Sequence, residues 1–348
     1  MTRPRRGSGG QAGQGFGERT GQCHVDVWRG DVVESQHRVH VAVAHAEQGL
    51  TASAGNPAHH SFVRSAIKMF QVLPFVEAGG ADRFSLTPEE LALCTASHGG
   101  EPFHAAAVRA MLAKARLTEG ALACGPHPPM HVATAEAMRT AGESPTRIHN
   151  NCSGKHAGML LYAVQQQWVT NGYHRASHPV QQRILATVAE WMGVEAEGIE
   201  QAIDGCGLPT FAMPLDAVAE GCARFAAAAA DGQAAPARIF AAMVSHPEFV
   251  AGTDRLDTAL MRATQGRLFA KVGAEGFYCA GIPSMRIGVA IKVEDGAWRA
   301  VEPALLAVLR AIDAIGAGEL EALGRYAEPA ILNTRNETVG VIRARVDF

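Results

Sequence analysis

The sequence predicts a mixed α/β fold, with a central, mostly antiparallel sheet built from both chain ends and a helical subdomain between them. Segments near both ends alternate apolar and polar residues, which is typical of strands with one buried face. Residues 130–265 instead repeat apolar residues at helical spacing. The simplest arrangement pairs the strands from the two chain ends in one sheet, so we expect residues 23–348 to form a single domain.

The N-terminal third begins with strands and continues with helices. Residues 25–53 alternate around a turn at Gly30-Asp31, which predicts two or three antiparallel strands. Residues 65–78 then predict a helix that Pro74 kinks or ends. The same helical spacing predicts further helices over Thr87–Thr95, Pro102–Ala115, Ala157–Gln167, Pro179–Met192, Leu215–Ala230 and Pro236–Val244.

Strands return from Lys271 onwards. The segments FYCAGIP, MRIGVAIKV and AWRAVEP each predict a strand, and Asp295-Gly296 is a favourable hairpin turn. A final helix is predicted over residues 303–315, followed by the strand-like run TVGVIRARV. These segments supply the C-terminal half of the predicted sheet.

Composition and charge narrow the function classes. The net charge is −3 and the pI about 6.6, so nothing electrostatic favours nucleic acid or an anionic membrane, and we expect a small-molecule substrate. The 7 cysteines are odd in number and widely spread, which favours a reducing cytoplasm over a disulfide framework. Residues 1–22 lack the apolar core of a secretory signal, and we expect a disordered tail. No apolar run is long enough for a membrane span.

Lysine is rare in this chain. It occurs five times, at 68, 114, 155, 271 and 292, while arginine supplies most of the positive charge. A desolvated lysine can lose its proton and act as a base, which arginine does not do. Ser65 stands three residues before Lys68, a spacing that places a base beside a serine hydroxyl on one helical turn. On this spacing alone, a capped helix with a solvated lysine is the preferred interpretation.

Four polar, glycine-containing motifs favour catalysis more strongly. Three of the five lysines lie either in these motifs or in the Ser65-x-x-Lys68 turn. Each motif also has a structural interpretation, such as a helix cap, an inert buried cysteine or a surface lysine. The motifs are Ser97-His98-Gly99-Gly100-Glu101-Pro102, His149-Asn150-Asn151-Cys152-Ser153-Gly154-Lys155-His156, Asp204-Gly205-Cys206-Gly207-Leu208-Pro209-Thr210 and Lys271-Val272-Gly273-Ala274-Glu275-Gly276.

The motifs RSAIKMFQ, ASHGGEP, CGPHPP, HNNCSGKHAGML, HPVQQ, DGCGLPTFAMPL and KVGAEG occur in an order that resembles the L-asparaginase II family, of the Rhizobium etli inducible type. The resemblance covers residues 23–298. It implies a fold similar to the serine β-lactamases and glutaminases, and hydrolysis of L-asparagine to L-aspartate and ammonia. It also implies a homodimer, and it makes the domain at 23–348 catalytic.

The resemblance also implies roles for individual residues. Two serine–lysine tandems fall on Ser65 with Lys68 and on Ser97 with Lys271. The implied zinc ligands, with a water completing the shell, are Cys152, Lys155 and Cys206. Two thiolates suit zinc, whereas lysine must first lose its proton. Cys152 with His156 is a rival ligand pair, and we favour Lys155.

Charge complementarity assigns the remaining contacts with the substrate. Arg64 suits the substrate α-carboxylate, Asp204 suits the α-ammonium group, and Asn151 is a candidate polar contact. A neutral lysine would activate Ser65 or Ser97, and the sequence leaves open which serine is the nucleophile. Two alternatives remain: a related serine–lysine amidohydrolase acting on glutamine or a lactam, and a non-enzymatic zinc-binding protein.

Overall fold

A large sheet with helices on both faces forms the centre of the protein. The structure is a computed structural model that describes residues 19–348. Residues 1–18 of the expected tail lie outside the described residues, and residues 19–21 of that tail form a short strand. The strands within the described residues are β1 (Arg19–Gly21), β2 (Cys23–Arg29), β3 (Val32–His45), β4 (Gly49–Ala54), β5 (His60–Phe62), β6 (Glu200–Ile203), β7 (Pro209–Pro214), β8 (Phe269–Val272), β9 (Phe277–Ile282), β10 (Ile287–Val293), β11 (Ala330–Leu332) and β12 (Thr338–Val346).

The helices occupy mainly the middle of the chain. Several begin or end where the sequence predicts, including the helix at 88–94, whose first turn is capped by Thr87 and Glu90. The α-helices within the described residues are α1 (Lys68–Glu77), α2 (Gly80–Arg83), α3 (Pro88–Cys94), α4 (Pro102–Lys114), α5 (Val132–Thr140), α6 (Ser153–Gln165), α7 (Pro179–Met192), α8 (Leu215–Ala230), α9 (Ala234–Ser245), α10 (Pro247–Val250), α11 (Leu256–Ala263), α12 (Trp298–Ala311), α13 (Ala317–Ala322) and α14 (Gly324–Ala327).

The large sheet joins the two ends of the chain, as the sequence predicts. Its strand order is β11-β12-β2-β3-β10-β9-β8, and β4 lies beside the second half of β3. All of these pairings are antiparallel, and β1 pairs in parallel with β4. The prediction of a mixed α/β fold with a mostly antiparallel central sheet is therefore confirmed.

Side-chain size decides which layer covers each face of the sheet. Along β10, Val289 and Ile291 point to the core shared with α12. Gly288 is packed directly against the backbone of α8, and Ala290 belongs to the core on that side. Small residues on one face let α8 approach the sheet closely, while branched residues fill the space beneath α12.

The helix α1 crosses the interior of the helical layer. Every residue from Lys68 to Val76 is buried, so this helix contacts protein on all sides. The predicted helix over 65–78 is correct in place, but its first turn, Arg64–Ile67, is a 3-10 helix. Pro74 does not end α1, which continues through three further residues because tertiary packing outweighs the lost backbone hydrogen bond.

The sequence expectations for residues 295–315 are wrong in three respects. The segment AWRAVEP belongs to α12, not to a strand, so Asp295-Gly296 does not form a hairpin turn. The helix predicted at 303–315 in fact begins at Trp298, with Pro303 inside it. Its apolar residues also fit helical spacing and pack against the sheet, and that burial overrides the proline signal.

A small second sheet interrupts the predicted helical middle. The strands β5, β7 and β6 pair in that order, and the chain from 200 to 214 forms an antiparallel hairpin. The whole of β6 is exposed, so it shows no buried face from which periodicity could have identified it. The motif at 204–208 is the turn of this hairpin, which places its cysteine beside α6.

Candidate active site

Ser97 lies where two lysine side chains meet. Its hydroxyl oxygen is 2.9 Å from the amine nitrogen of Lys68 and 3.0 Å from that of Lys271. Both lysines are completely buried, and Ser97 is only 4% exposed. Its backbone N–H donates to the carbonyl of Val250 at 2.9 Å, which anchors the segment after α3. The sequence-predicted residues Ser97, Lys68 and Lys271 are therefore brought together around one hydroxyl group.

The two lysines are held by rigid elements from different parts of the chain. Lys68 is the first residue of α1, and its amine also donates to the carbonyl of Ala96 and to the Cys152 sulfur at 3.2 Å. Lys271 lies in β8, and its amine also donates to the carbonyl of Val272 at 2.8 Å. These carbonyls fix the direction in which each amine approaches Ser97.

Burial weakens proton binding by both amines. Burial lowers the pKa of Lys271 to about 7, although the nearby Asp257 carboxylate raises it. Burial likewise lowers the pKa of Lys68, against the opposing effect of Cys152. An amine with a pKa near neutrality is uncharged in a substantial fraction of molecules at pH 7. Lys271 can therefore accept the proton of the Ser97 hydroxyl.

Ser65 is not hydrogen-bonded to Lys68. It lies in the 3-10 turn before α1, is partly exposed, and its hydroxyl group makes no hydrogen bond to any residue of 19–348. The amine of Lys68 is instead committed to Ala96, Ser97 and Cys152. The three-residue spacing predicts a contact between Ser65 and Lys68, but the amine of Lys68 instead contacts Ser97, which is distant in sequence.

Arg64 and Asp204 form a partly exposed ion pair. The guanidinium Nη2 lies 2.6 Å from Oδ1 of Asp204, and Nε donates to the same oxygen at 2.7 Å. Burial opposes ionisation of Asp204, but Lys155 and Arg64 outweigh it and lower the pKa of the carboxyl. Arg64 has a φ of 50°, a left-handed conformation in which arginine is strained. Two residues predicted to contact substrate thus face one another in a partly exposed position.

Cys152, Lys155 and Cys206 form a buried cluster of two sulfurs and one amine. Cys152 immediately precedes α6, Lys155 lies in its first turn, and Cys206 comes from the turn between β6 and β7. A hydrogen bond from Cys152, together with the charge of Lys155, lowers the pKa of Cys206 to about 5. The corresponding effect of Cys206, together with burial, raises the pKa of Cys152 to about 12. Cys206 is therefore the thiolate of the pair.

One separation in this cluster matches the spacing of two ligands on a tetrahedral metal ion. The Lys155 amine is 3.5 Å from the Cys206 sulfur. Nitrogen and sulfur ligands of one tetrahedral zinc ion lie about 3.6 Å apart, from zinc distances of about 2.1 and 2.3 Å. Burial disfavours the charge on Lys155, but Cys206 and Cys152 outweigh it and raise its pKa, so the amine must release a proton to bind metal. In the described part of the chain, no group of three His, Cys, Asp or Glu side chains is arranged to hold a metal ion.

Two further sequence candidates lie beside the cluster. His156 directs Nδ1 at the Tyr173 hydroxyl, 2.5 Å away, and within residues 19–348 its imidazole has no hydrogen bond to either cysteine. Asn151 is partly exposed, and its backbone N–H donates to Nε2 of His127 at 3.0 Å. His127 therefore connects the exposed loop before α5 with the segment that carries Cys152.

Two residues support the site in roles that sequence reasoning did not assign. His98 is completely buried, accepts from the Gly100 N–H at 3.1 Å, and donates through Nε2 to the Ser153 hydroxyl at 2.9 Å. It thereby ties the Ser97 loop to the start of α6. Asp257 contacts the strand that bears Lys271, and nothing in its sequence context distinguishes it from an ordinary residue of a first helical turn. Only tertiary structure reveals either role.

Comparison with known proteins establishes the family. The sequence model for L-asparaginase II matches residues 25–344, which is nearly the whole chain. The chain belongs to the L-asparaginase II family. No match was found among curated proteins. Membership makes this L-asparaginase II family protein an amidohydrolase of the asparaginase type with a small-molecule substrate.

The family match includes both parts of the candidate site. One part is Ser97 with Lys68 and Lys271, and the other is the cluster of Cys152, Lys155 and Cys206; the matched range contains all six residues. It also contains β3 to β10, so the strand that holds Lys271 is included. Within the described residues, no helix has both the length and the apolar character needed to cross a membrane.

Proposed function

We propose that this protein is an L-asparaginase that hydrolyses L-asparagine to L-aspartate and ammonia, with Ser97 as nucleophile. The observation that carries the proposal is the convergence of Lys68 and Lys271 on the Ser97 hydroxyl. Family membership supplies the amidohydrolase chemistry, and the buried amines supply a base.

Lys271 acts as the general base in this proposal. Its neutral amine takes the Ser97 proton as the oxygen attacks the side-chain amide carbon of asparagine. The protonated amine then donates to the departing nitrogen, which leaves as ammonia, and an aspartyl ester remains on Ser97. Water attacks this ester with the same amine as base, releasing L-aspartate and restoring the hydroxyl. Lys68 keeps the hydroxyl oriented through its own contact.

Arg64 and Asp204 are the proposed contacts for the charged end of the amino acid. Their ion pair already presents one positive and one negative group in a partly exposed position. An incoming zwitterion can replace it with two ion pairs, from Arg64 to the α-carboxylate and from Asp204 to the α-ammonium. Asn151 and Ser65 are proposed as further polar contacts at this entrance.

Cys152, Lys155 and Cys206 are the proposed zinc ligands. Their separation and the thiolate character of Cys206 support this assignment. Bound zinc would supply a Lewis acid able to polarise a carbonyl group. The ligands lie on the turn after β6 and around the start of α6, so the metal would also join these two elements.

The decisive experiment measures ammonia release from L-asparagine and L-glutamine by the wild type and three alanine variants. Ser97→Ala is expected to lower kcat by about 10³-fold or more, because it removes the nucleophile. Ser65→Ala is expected to retain most of kcat while raising KM. Ser245→Ala, at the exposed end of α9, is the matched control and should behave as wild type.

Each outcome of this experiment decides one part of the proposal. An active Ser97→Ala variant beside an inactive Ser65→Ala variant would transfer the nucleophile to Ser65. Preference for glutamine would change the substrate and keep the chemistry. Absence of turnover by folded, zinc-loaded wild type would reject the enzyme and leave a zinc-binding protein. The homodimer and the cytoplasmic location remain proposals, which sedimentation and cell fractionation would test.

A further inference from the structure

A buried carboxylate stands behind the lysine that contacts Ser97. Asp257 lies in the first turn of α11 and is only 1% exposed. Its Oδ1 accepts a hydrogen bond from the backbone N–H of Val272, with a distance of 2.8 Å. A buried carboxylate is uncommon without a partner of matching chemistry, so its position requires an explanation.

The hydrogen bond from Val272 to Asp257 lies at the open edge of the large sheet, and that position explains it. β8 is the last strand of the sheet, and the N–H of Gly273 is directed at the carbonyl of Phe277 in β9. Because backbone groups alternate along a strand, the N–H of Val272 points away from β9, where no strand follows. Asp257 satisfies this outward amide. The carbonyl of the same Val272 accepts the Lys271 amine at 2.8 Å, so one residue receives both contacts.

Charge gives Asp257 a second connection with Lys271. Four groups act on the Lys271 amine: the Asp257 carboxylate, the Lys68 amine, the Arg255 guanidinium and the Cys279 thiol. Burial raises the pKa of Cys279 well above its ordinary value, so this thiol carries no charge at neutral pH. Asp257 is therefore the anion that offsets two cations facing Lys271.

We propose that Asp257 is a positioning residue that holds Lys271 against Ser97 and governs how much of its amine is uncharged at neutral pH. The proposal rests on the proposed function in one respect, namely that Lys271 is the base for Ser97. The carboxylate acts through Val272 and through space, and it has no hydrogen bond to Ser97 among residues 19–348.

Removing the charge should lower the pKa of Lys271. Burial, Lys68 and Arg255 all lower the pKa of Lys271, and the Asp257 carboxylate is the main group that raises it. A neutral side chain at position 257 removes this opposing effect. A single opposite charge at close range shifts a pKa by roughly one unit or more. The acid limb of the kcat/KM profile should therefore move roughly one pH unit lower in Asp257→Asn. Asparagine retains an oxygen that can accept the Val272 N–H, so positioning is disturbed least in this variant.

The rarity of lysine allows a measurement that does not depend on turnover. With only five lysines in the chain, [¹³Cε]lysine labelling gives five side-chain NMR signals, and Lys271→Met identifies the signal of interest. Its titration midpoint is expected near 7 in the wild type and roughly one unit lower in Asp257→Asn. Asp257→Ser, also neutral, should shift the midpoint in the same direction and lower kcat further, since it places the acceptor oxygen farther from Val272.

Glu302→Gln is the matched control. Burial raises the pKa of Glu302 to about 7, and Asp257 is one of the charges acting on it, so its titration could imitate that of Lys271. This variant should leave the lysine midpoint and the acid limb in place. An unchanged Lys271 midpoint in either correctly folded neutral variant would overturn the proposal. If the Lys271 midpoint shifts as expected in the two Asp257 variants but the wild type releases no ammonia, the proposed function alone is rejected.

Discussion

Gly252 packs against the loop that carries Ser97, close to Gly99 and Glu101. The substitution Gly252→Ala tests whether this packing maintains the site. Gly252 has a φ of 120°, a conformation essentially limited to glycine, which costs an alanine about 1–3 kcal/mol. An added Cβ would also lie 2.7 Å from Oε2 of Glu101. That carboxylate is fixed by Thr253, through its N–H at 3.2 Å and its hydroxyl at 2.8 Å, so it cannot move away freely.

The two effects together predict a large loss of stability and activity. Overpacking a fixed group adds about 1–3 kcal/mol, so the free energy of unfolding should fall by roughly 2–6 kcal/mol. The N–H of Ser97 is bonded to Val250, two residues before Gly252. A displacement approaching 1 Å at the hydroxyl lowers kcat/KM by up to about 10²-fold. We therefore expect a reduction of about 10- to 100-fold in the folded variant.

Gly232→Ala is the control for backbone strain. Gly232 also has a positive φ, of 74°, but an added Cβ there would meet no atom within 4 Å. Its cost should be about 1–2 kcal/mol, with unchanged kcat/KM. Urea unfolding followed by circular dichroism and ammonia release from asparagine are the two assays. Equal stability of the two variants, with wild-type kcat/KM in Gly252→Ala, would refute this reasoning.

Three further predictions concern pH, packing and metal. Burial raises the pKa of Glu302 from 4.5 to about 7, so the native state retains this proton more strongly than the unfolded chain and loses stability as pH rises through that window. Glu302→Gln should be more stable than wild type by about 1–3 kcal/mol at pH 8 but not at pH 4, and parallel urea midpoints at both pH values would contradict this. Gly288→Ala would place a Cβ 2.1 Å from the carbonyl oxygen of Ala219 in α8, and it should lower the free energy of unfolding by about 3 kcal/mol or more. Gly318→Ala is the control: a Cβ there would meet no atom within 4 Å, so the melting temperature should not fall. Cys206→Ala should abolish the zinc content measured by mass spectrometry, and a metal-free wild type purified from zinc-containing medium would reject the metal proposal.

Much of the fold could be predicted from sequence because burial and periodicity agree in its main elements. The helices at 179–192 and 215–230 have the predicted bounds, since each has one apolar face and a clear start. The strands at both ends have strong alternation, and their pairing in one sheet followed from their number and position. Where local pattern and tertiary packing act together, sequence reasoning was sufficient.

The failures have physical causes in particular elements. The segment from Trp298 fits both strand and helix spacing, and Pro303 suggested a helix start that packing against the sheet overrides. The exposed strand β6 has no buried face and thus no periodic signal. In neither case does the local sequence contain the deciding interaction.

Individual site residues were easier to predict than their contacts. Apart from Ser65 and Lys68, the candidate serine, lysines and cysteines stood in glycine-containing polar motifs, and the structure gathers most of the candidates. Sequence spacing nevertheless paired Ser65 with Lys68, whereas the amine of Lys68 lies beside Ser97. Asp257 was missed, because a carboxylate in a first helical turn is common and only the sheet edge gives it a particular partner.

The contact between Ser97 and Lys271 joins positions 174 residues apart, which has a consequence for folding. Closing so long a loop is entropically unfavourable, and such long-range contacts form slowly. The hydroxyl meets both amines only when β8 has joined the sheet and α1 has been buried. Recovery of activity during refolding should therefore lag behind recovery of helical signal, and a polypeptide still emerging from the ribosome would have no assembled site until almost four-fifths of it had been made.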